Sequence, residues 1–469
     1  MDLISAQPLK TILLATAAIA YLGSLWLCAR WFNRRPADAM ALMMAVAPLE
    51  VLSFYKGLTI KPFLLLYPAV ILGVGWRYRD WLSKRPELSD WDWCILTCWG
   101  WALFSCFFAP DPMRGIRMAI QVGMVLAVSI GTAHLVNNRD EIERYLRFFK
   151  WSAIGVCAYA LWQAAGYFLG PPSQPLLALA RLNPTLPRML TEPGAIVFSE
   201  NLKVVRVSST FFDWNIFSAY LVILLSLFLY LVWRGLLSGR LPARVFWGLI
   251  LLVATWLLTF SRSGWLGGAA AVVVLIGFGF PIRHLVRRYV VVIACLVVVC
   301  VIAQINPVGV LFKRVGQSVT GERSVQEHAW YGLAALDMLH DRPLTGVGIH
   351  NYAVYYQRNY DPNEPGATAH SGFLSIFAEM GMVGGIALVL TFLMVASKLW
   401  KTQRNLAVND PDGMLLRALL AAAIGLGVCN IFYHFWTQLF LWCFFGFCIG
   451  ATEGLGRGEM TENAEESTA

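Results

Sequence analysis

Residues 216–233, IFSAYLVILLSLFLYLVW, carry no charge and are long enough as a helix to cross about 30 Å of hydrocarbon. Arg234, Arg240 and Arg244 follow, then a second apolar run to Phe260, the short turn Ser261-Arg262-Ser263, and a third apolar run. This apolar, basic, apolar, bare, apolar rhythm extends along the chain. It predicts thirteen spans at roughly 11–29, 38–55, 61–76, 91–109, 115–136, 149–169, 209–233, 244–260, 263–281, 288–306, 372–397, 414–432 and 435–454. Composition agrees: the 469 residues are 58% hydrophobic and only 14% charged, with mean hydropathy +0.60. The expected fold class is therefore an all-α polytopic integral membrane protein of 12–13 transmembrane helices. It forms a single membrane domain over residues 1–469, with a disordered polar tail at 456–469.

Basic residues sit in alternate links. Six of them, beginning with Arg30, Arg34 and Arg35 and ending with Lys398, Lys401 and Arg404, hold 20 of the 37 lysines and arginines. Short basic links stay in the cytoplasm, which places the amino terminus outside and the carboxyl terminus inside. With twelve spans and both ends inside, one early segment would be re-entrant, and Pro48–Lys61 is the weakest candidate span. The net charge of +9 is thus an orientation signal and does not indicate nucleic-acid binding. The ten cysteines lie within spans or at their edges, so packing explains them better than disulfides or metal ligation, including Cys94 and Cys98 on one helix face.

Two long loops, 170–208 and 307–371, fall on the non-cytoplasmic side. Six prolines between Pro171 and Pro193 exclude a long helix from the first. The second holds a helix-like stretch, Ser324–His340, with Trp330, Leu333, Ala334 and Leu336 spaced for one buried face. Three chemically capable residues fall on that same side. Arg206 ends the first loop, Arg262 occupies the turn between two spans, and His370 stands where the second loop re-enters the membrane. An interfacial arginine alone reads as a snorkelling anchor, but Ser261, Ser263 and Gly264 around Arg262 offer the small polar groups and backbone N–H donors that a phosphate needs. His370 alone reads equally as a local cap. Glu379, nine residues later in an otherwise uncharged helix, needs a partner, and helical pitch directs it to another element rather than to the imidazole. Gly346 and Gly348 form a turn capable of close approach to a ligand. His328, His340 and His350 are alternative histidines ranked below His370.

The order Arg206, Phe211, Asn215; Ser261-Arg262-Ser263; Arg323, Trp330, Pro343-Leu-Thr-Gly346-Val-Gly348; His370, Leu374, Glu379, Gly381, Gly384 resembles the O-antigen ligase and polymerase superfamily over residues 200–390. The resemblance implies a metal-independent, inverting glycosyltransferase of the bacterial inner membrane with its active site facing the periplasm and no cofactor. The donor would be a glycan on undecaprenyl diphosphate, and the acceptor a sugar hydroxyl of lipid A-core or another glycan, with membrane lipids as the surroundings. Carried over by position, Arg206, Arg262 and Arg323 would bind the donor diphosphate and His370 would activate the acceptor, with Asn215, Ser261, Ser263, Gly346, Gly348 and Glu379 in support. The sequence departs from the family where Ser209 replaces a usual glycine, Trp214 a proline and Ser371 a frequent asparagine. A polymerase, a protein O-oligosaccharyltransferase and, from another class, a polysaccharide or lipid transporter are the alternatives. A transporter would be expected to place ionisable groups at the bilayer midplane, where only Glu50 and Glu379 look embedded.

Overall fold

A computed structural model describes residues 6–55, 59–83, 87–169, 206–211, 213–287, 323–364 and 366–466. The predicted span 288–306, most of the first long loop and the opening of the second lie outside them. The described chain is a helical bundle. Its helices are α1 (Ala6–Arg34), α2 (Pro36–Val46), α3 (Pro62–Ser83), α4 (Asp90–Ser105), α5 (Pro112–Leu135), α6 (Arg139–Leu169), α7 (Trp214–Leu237), α8 (Ala243–Leu258), α9 (Arg262–Gly277), α10 (Arg323–Asp341), α11 (Tyr352–Asn359), α12 (Gly372–Arg404), α13 (Pro411–Phe432) and α14 (Leu439–Glu466). Among the described residues, α5, α7, α12, α13 and the first part of α14 are long and apolar enough to cross a membrane. The chain is an all-α, polytopic membrane protein.

One predicted span takes a different form. Instead of a helix over 38–55, α2 stops at Val46 after 11 residues, about 16 Å at 1.5 Å per residue and too short to cross hydrocarbon. Pro48 has no N–H to continue the ladder. A 3₁₀ turn (Glu50–Leu52) and a two-residue antiparallel hairpin, Phe54–Tyr55 with Thr59–Ile60, complete the segment. Most of α2 is buried, and Glu50, 4% exposed, pairs with Lys61 at 3.1 Å, so the carboxylate at the start of this segment has a compensating charge. At the other end of the chain, α14 runs to Glu466 through residues expected to be disordered; the alanine and glutamates there favour helix.

Helices α7, α13 and α14 form the buried centre, with α9 against α13 and α5 against α14. Small residues set these contacts. Gly446, Gly450 and Gly454 make a stripe on α14 that meets the backbone of α5 and its C-terminal link, where a Cβ on Gly450 would stand 2.4 Å from the Val136 carbonyl. Between α9 and α13, a Cβ on Gly267 would stand 2.5 Å from the Gly425 carbonyl, and one on Gly425 2.6 Å from that of Gly267. Lipid tails give apolar helices no hydrophobic reason to associate, so close backbone approach and dispersion carry the packing. Cys94 and Cys98 both face the Thr391 hydroxyl, at 3.1 and 3.7 Å, as helix-packing groups.

The apolar face predicted for α10 is split. Ala334, Ala335 and Met338 are buried, whereas Trp330, Leu333 and Leu336 are 68%, 57% and 49% exposed. The helix thus packs its small residues inward and presents large apolar ones outward, which suits an element lying along a membrane surface. We expect Gly450→Ala to cost about 1–3 kcal/mol through forced separation of α14 from α5. Thermal unfolding in detergent checks this; an unchanged midpoint would mean the contact is not tight.

Candidate active site

Three helix N-termini meet at one end of the bundle, and each is capped by its own sequence. Asp213 caps α7, its Oδ1 accepting from the backbone N–H of Asn215 (2.6 Å) and Ile216 (3.2 Å). Ser261 caps α9 by accepting from Gly264 N–H at 3.2 Å, and Ser371 caps α12 by accepting from Leu374 N–H at 3.3 Å. The caps are cross-linked. Ser261 Oγ donates to Asn215 Oδ1 at 2.7 Å and lies 3.0 Å from Ser263 Oγ. Tyr433, at the C-terminus of α13, donates its hydroxyl to Asp213 Oδ2 at 2.7 Å, and its ring lies 6.3 Å from that of His370. The positive ends of three helix dipoles are therefore gathered in one place, which favours an anion.

Arg206 is fastened to the turn between α8 and α9. Its Nε donates to Thr259 O at 3.1 Å and its Nη2 to Phe260 O at 3.0 Å, while Val207 N–H donates to Leu258 O at 3.1 Å. The guanidinium lies 4.1 Å above the Trp214 ring, which is its stacking partner. Arg262 is the first residue of α9, presented by the turn that Arg206 grips. Arg206 therefore acts on this turn directly. Of the remaining cation, Arg323 opens α10, and its side chain lies outside the described part of the structure.

Backbone strain collects at the same end. The described non-glycine residues with positive φ are Ser209 (54°), Phe260 (48°), His350 (59°) and His370 (49°). Each such conformation costs roughly 1–3 kcal/mol and persists only where its surroundings over-determine it. At Ser209, Gln163 Oε1 accepts from the backbone N–H at 2.9 Å and Ser209 Oγ donates to Val156 O at 2.6 Å. Phe260 is held by the Arg206 contact. His370 sits immediately before the Ser371 cap, its ring 5.6 Å from that of Tyr331.

The glycine turn packs against the membrane helix α12. Gly346 (φ 64°) and Gly348 (φ 94°) press against α12, where a Cβ on Gly346 would stand 2.5 Å from Ala378 O. Val347 N–H donates to Ala378 O at 2.9 Å and Gly348 N–H to Glu379 O at 2.7 Å, opposite a kink in α12 at Gly381. Only glycine allows backbones this close in these conformations. Glu379, 5% exposed, finds its partner in the same loop, its Oε1 accepting from Tyr352 N–H at 3.3 Å. As its helical position implied, it pairs with another element and not with His370.

Sequence reasoning missed Tyr433, His434 and Asn430. All stand in or beside the bare link Asn430-Ile-Phe-Tyr433-His434 between the last two spans, and the span count already put that link at the His370 end. Asn430 is fully buried beneath Gly372, its amide atoms having no protein partner among the described residues. Burial is the main influence on the acids and bases here. It pushes the Asp213 carboxyl up, against the lowering contributions of Tyr433, the backbone N–H donors and the Arg206 charge, and together with the Asp213 charge it holds the Tyr433 hydroxyl well above its ordinary value. Burial lowers His350 to about 4, aided by Arg114, and His434 to about 4, aided by His350 and His370.

Because these two imidazoles bind protons less readily folded than unfolded, their contribution is intact above pH 6.5 and is lost as the pH falls towards 4. We expect thermal stability in detergent to decline over that window, and His434→Gln to flatten the decline. An identical slope in the variant would assign the titration elsewhere.

Residues 247–389 match the family model described as O-antigen ligase. No curated protein matches the chain. The matched stretch runs from α8 into α12 and contains Arg262, the glycine turn, His370 and Glu379, while Arg206 and Asn215 precede it. The turn bearing Arg262 and the helix entry at His370 thus both lie within the stretch, residues 247–389 of 469, that is similar to the O-antigen ligase family.

Proposed function

We propose that the protein is an O-antigen ligase-type glycosyltransferase, moving a glycan from undecaprenyl diphosphate to a hydroxyl of lipid A-core at the periplasmic face of the bacterial inner membrane. The observation that carries this reading is the meeting of three capped helix N-termini, the Arg206-braced turn bearing Arg262, and His370 around the Tyr433–Asp213 hydrogen bond. Cleaving the bond between the anomeric carbon and the diphosphate leaves negative charge on the departing oxygens. Fixed positive groups that strengthen their contacts as this charge develops lower the barrier. Arg262 contacts the diphosphate from the head of α9. Arg206 serves it by holding that turn rigid and by adding its own charge.

The acceptor hydroxyl is a poor nucleophile until its proton is removed. His370 takes that proton as the oxygen attacks the anomeric carbon from the face opposite the leaving diphosphate, so the configuration inverts. Asn430 and the Asn215–Ser261 pair line the polar floor beneath. The buried position of Asp213, already committed to two backbone N–H groups and a tyrosine, makes it a structural anion that orients Tyr433.

His370→Ala should abolish glycan attachment, by about 100-fold or more, while membrane insertion is normal. Arg262→Lys and Arg206→Lys should fail comparably, the first because an ammonium cannot form a bidentate fork and the second because it cannot grip two carbonyls while stacked on Trp214. Attachment assays on membranes containing native donor lipid check all three; wild-type activity in the histidine variant would remove it from the chemistry. In a deletion strain, lipid-linked polymer beside bare lipid A-core is expected. Single repeat units on lipid A-core would make the protein a polymerase.

A further inference from the structure

A line of tyrosine rings leaves His370 along the surface formed by α10 and α11. Tyr331 lies 5.6 Å from the imidazole, Tyr356 lies 5.3 Å from Tyr331, and Tyr360 lies 5.2 Å from Tyr356, the last two rings nearly parallel at 24°. Tyr352 is buried below, 6.1 Å from Tyr356, with its hydroxyl donating to Tyr331 O at 2.6 Å. It belongs to a small separate core with Ala334, Ala335 and Met338, which fixes the rings above it. Tyr331 and Tyr356 are half-buried and Tyr360 is exposed, so the line faces outward.

Exposed carboxylates edge the rings. Asp337 accepts from the Tyr360 hydroxyl at 2.6 Å, and Asp341, one helical turn on, accepts from that of Tyr355 at 3.0 Å. A pyranose presents a face of C–H groups ringed by hydroxyls. Electron-rich ring faces suit the C–H face, and carboxylates at the edge suit the hydroxyls, whereas a lipid chain would gain nothing from the acids. Tyrosine also holds its large contact area with few rotatable bonds, so little freedom is lost on binding. Among the described contacts, the ring that links His370 to Asp213 and to the Arg206 charge is Tyr433, so the diphosphate side is marked by a different ring from those of the tyrosine line.

We infer that Tyr331, Tyr356 and Tyr360, edged by Asp337 and Asp341, form a saccharide-binding platform that holds the acceptor glycan while its hydroxyl is delivered to His370. The inference rests on the transferase reading for the identity of its ligand. Binding is tested without turnover, using full-length His370→Ala protein in nanodiscs and delipidated core oligosaccharide from the host strain as the probe, by saturation-transfer NMR. Signal should appear on the oligosaccharide and be lost on adding Tyr356→Ala or Tyr360→Ala. It should survive Tyr356→Phe and Tyr360→Phe, which keep the ring and guard against a folding defect. In the otherwise wild-type enzyme, Tyr360→Ala should raise KM for the acceptor about tenfold, with kcat within about twofold and KM for the donor unchanged. Undiminished NMR signal in the alanine variants, or a change confined to kcat or to the donor KM, overturns the platform. Tyrosine-dependent oligosaccharide binding by a protein that forms no glycosidic bond would sink the transferase reading and leave the platform standing.

Discussion

The Asp213 carboxyl ties the site together. One of its oxygens caps α7 and the other receives the Tyr433 hydroxyl from the far end of α13, while the Arg206 charge opposes the cost of its burial. Through Asn215, the second residue of the helix it caps, the connection passes to Ser261 and the turn that carries Arg262. Through the Tyr433 ring it reaches His370. Loss of this one group would leave a helix terminus and a buried hydroxyl unsatisfied at once, in surroundings with little water to replace it.

That arrangement follows from a general restriction on membrane proteins. Backbone N–H and C=O groups cannot be left open in hydrocarbon, so helices end only where side chains, other backbone or water can receive them. Those ends are also where polar chemistry is affordable. The caps at Asp213, Ser261 and Ser371, required for structural reasons, simultaneously aim helix dipoles at one region and make it receptive to an anion. The strained backbone at Ser209, Phe260 and His370 lies in the same segments, with Ser209 held by Gln163 and Val156 and Phe260 by Arg206. The same hydrogen bonds satisfy helix ends and hold the turn that carries Arg262 in place.

The glycine turn gives a second example of shared duty. Gly346 and Gly348 hook onto the carbonyls of Ala378 and Glu379 beside the α12 kink, and the Glu379 carboxylate reaches back to the start of α11. This clasp fixes the second loop to the membrane helix that begins just after His370. The glycine-rich motif is a joint between a loop and a span.

The amino-acid pattern was enough for the helical membrane class and for the apolar stretches that become α5, α7, α12, α13 and the first part of α14, because hydrophobic length and composition are local or additive properties of the chain. The segment it marked as its weakest span, around Pro48, is where α2 stops, and the inward face of α10 differs from the expected one, with Ala334, Ala335 and Met338 buried in place of Trp330, Leu333 and Leu336. Only the tertiary structure decided that Arg206 clamps the α8–α9 turn, that Glu379 serves the glycine loop, and that Tyr433 joins Asp213 to His370. Those are contacts between residues tens to hundreds of positions apart, and such pairings depend on how helices rotate and approach one another, which glycine contacts such as Gly267–Gly425 and Gly450–Val136 set to within fractions of an ångström and no periodicity encodes.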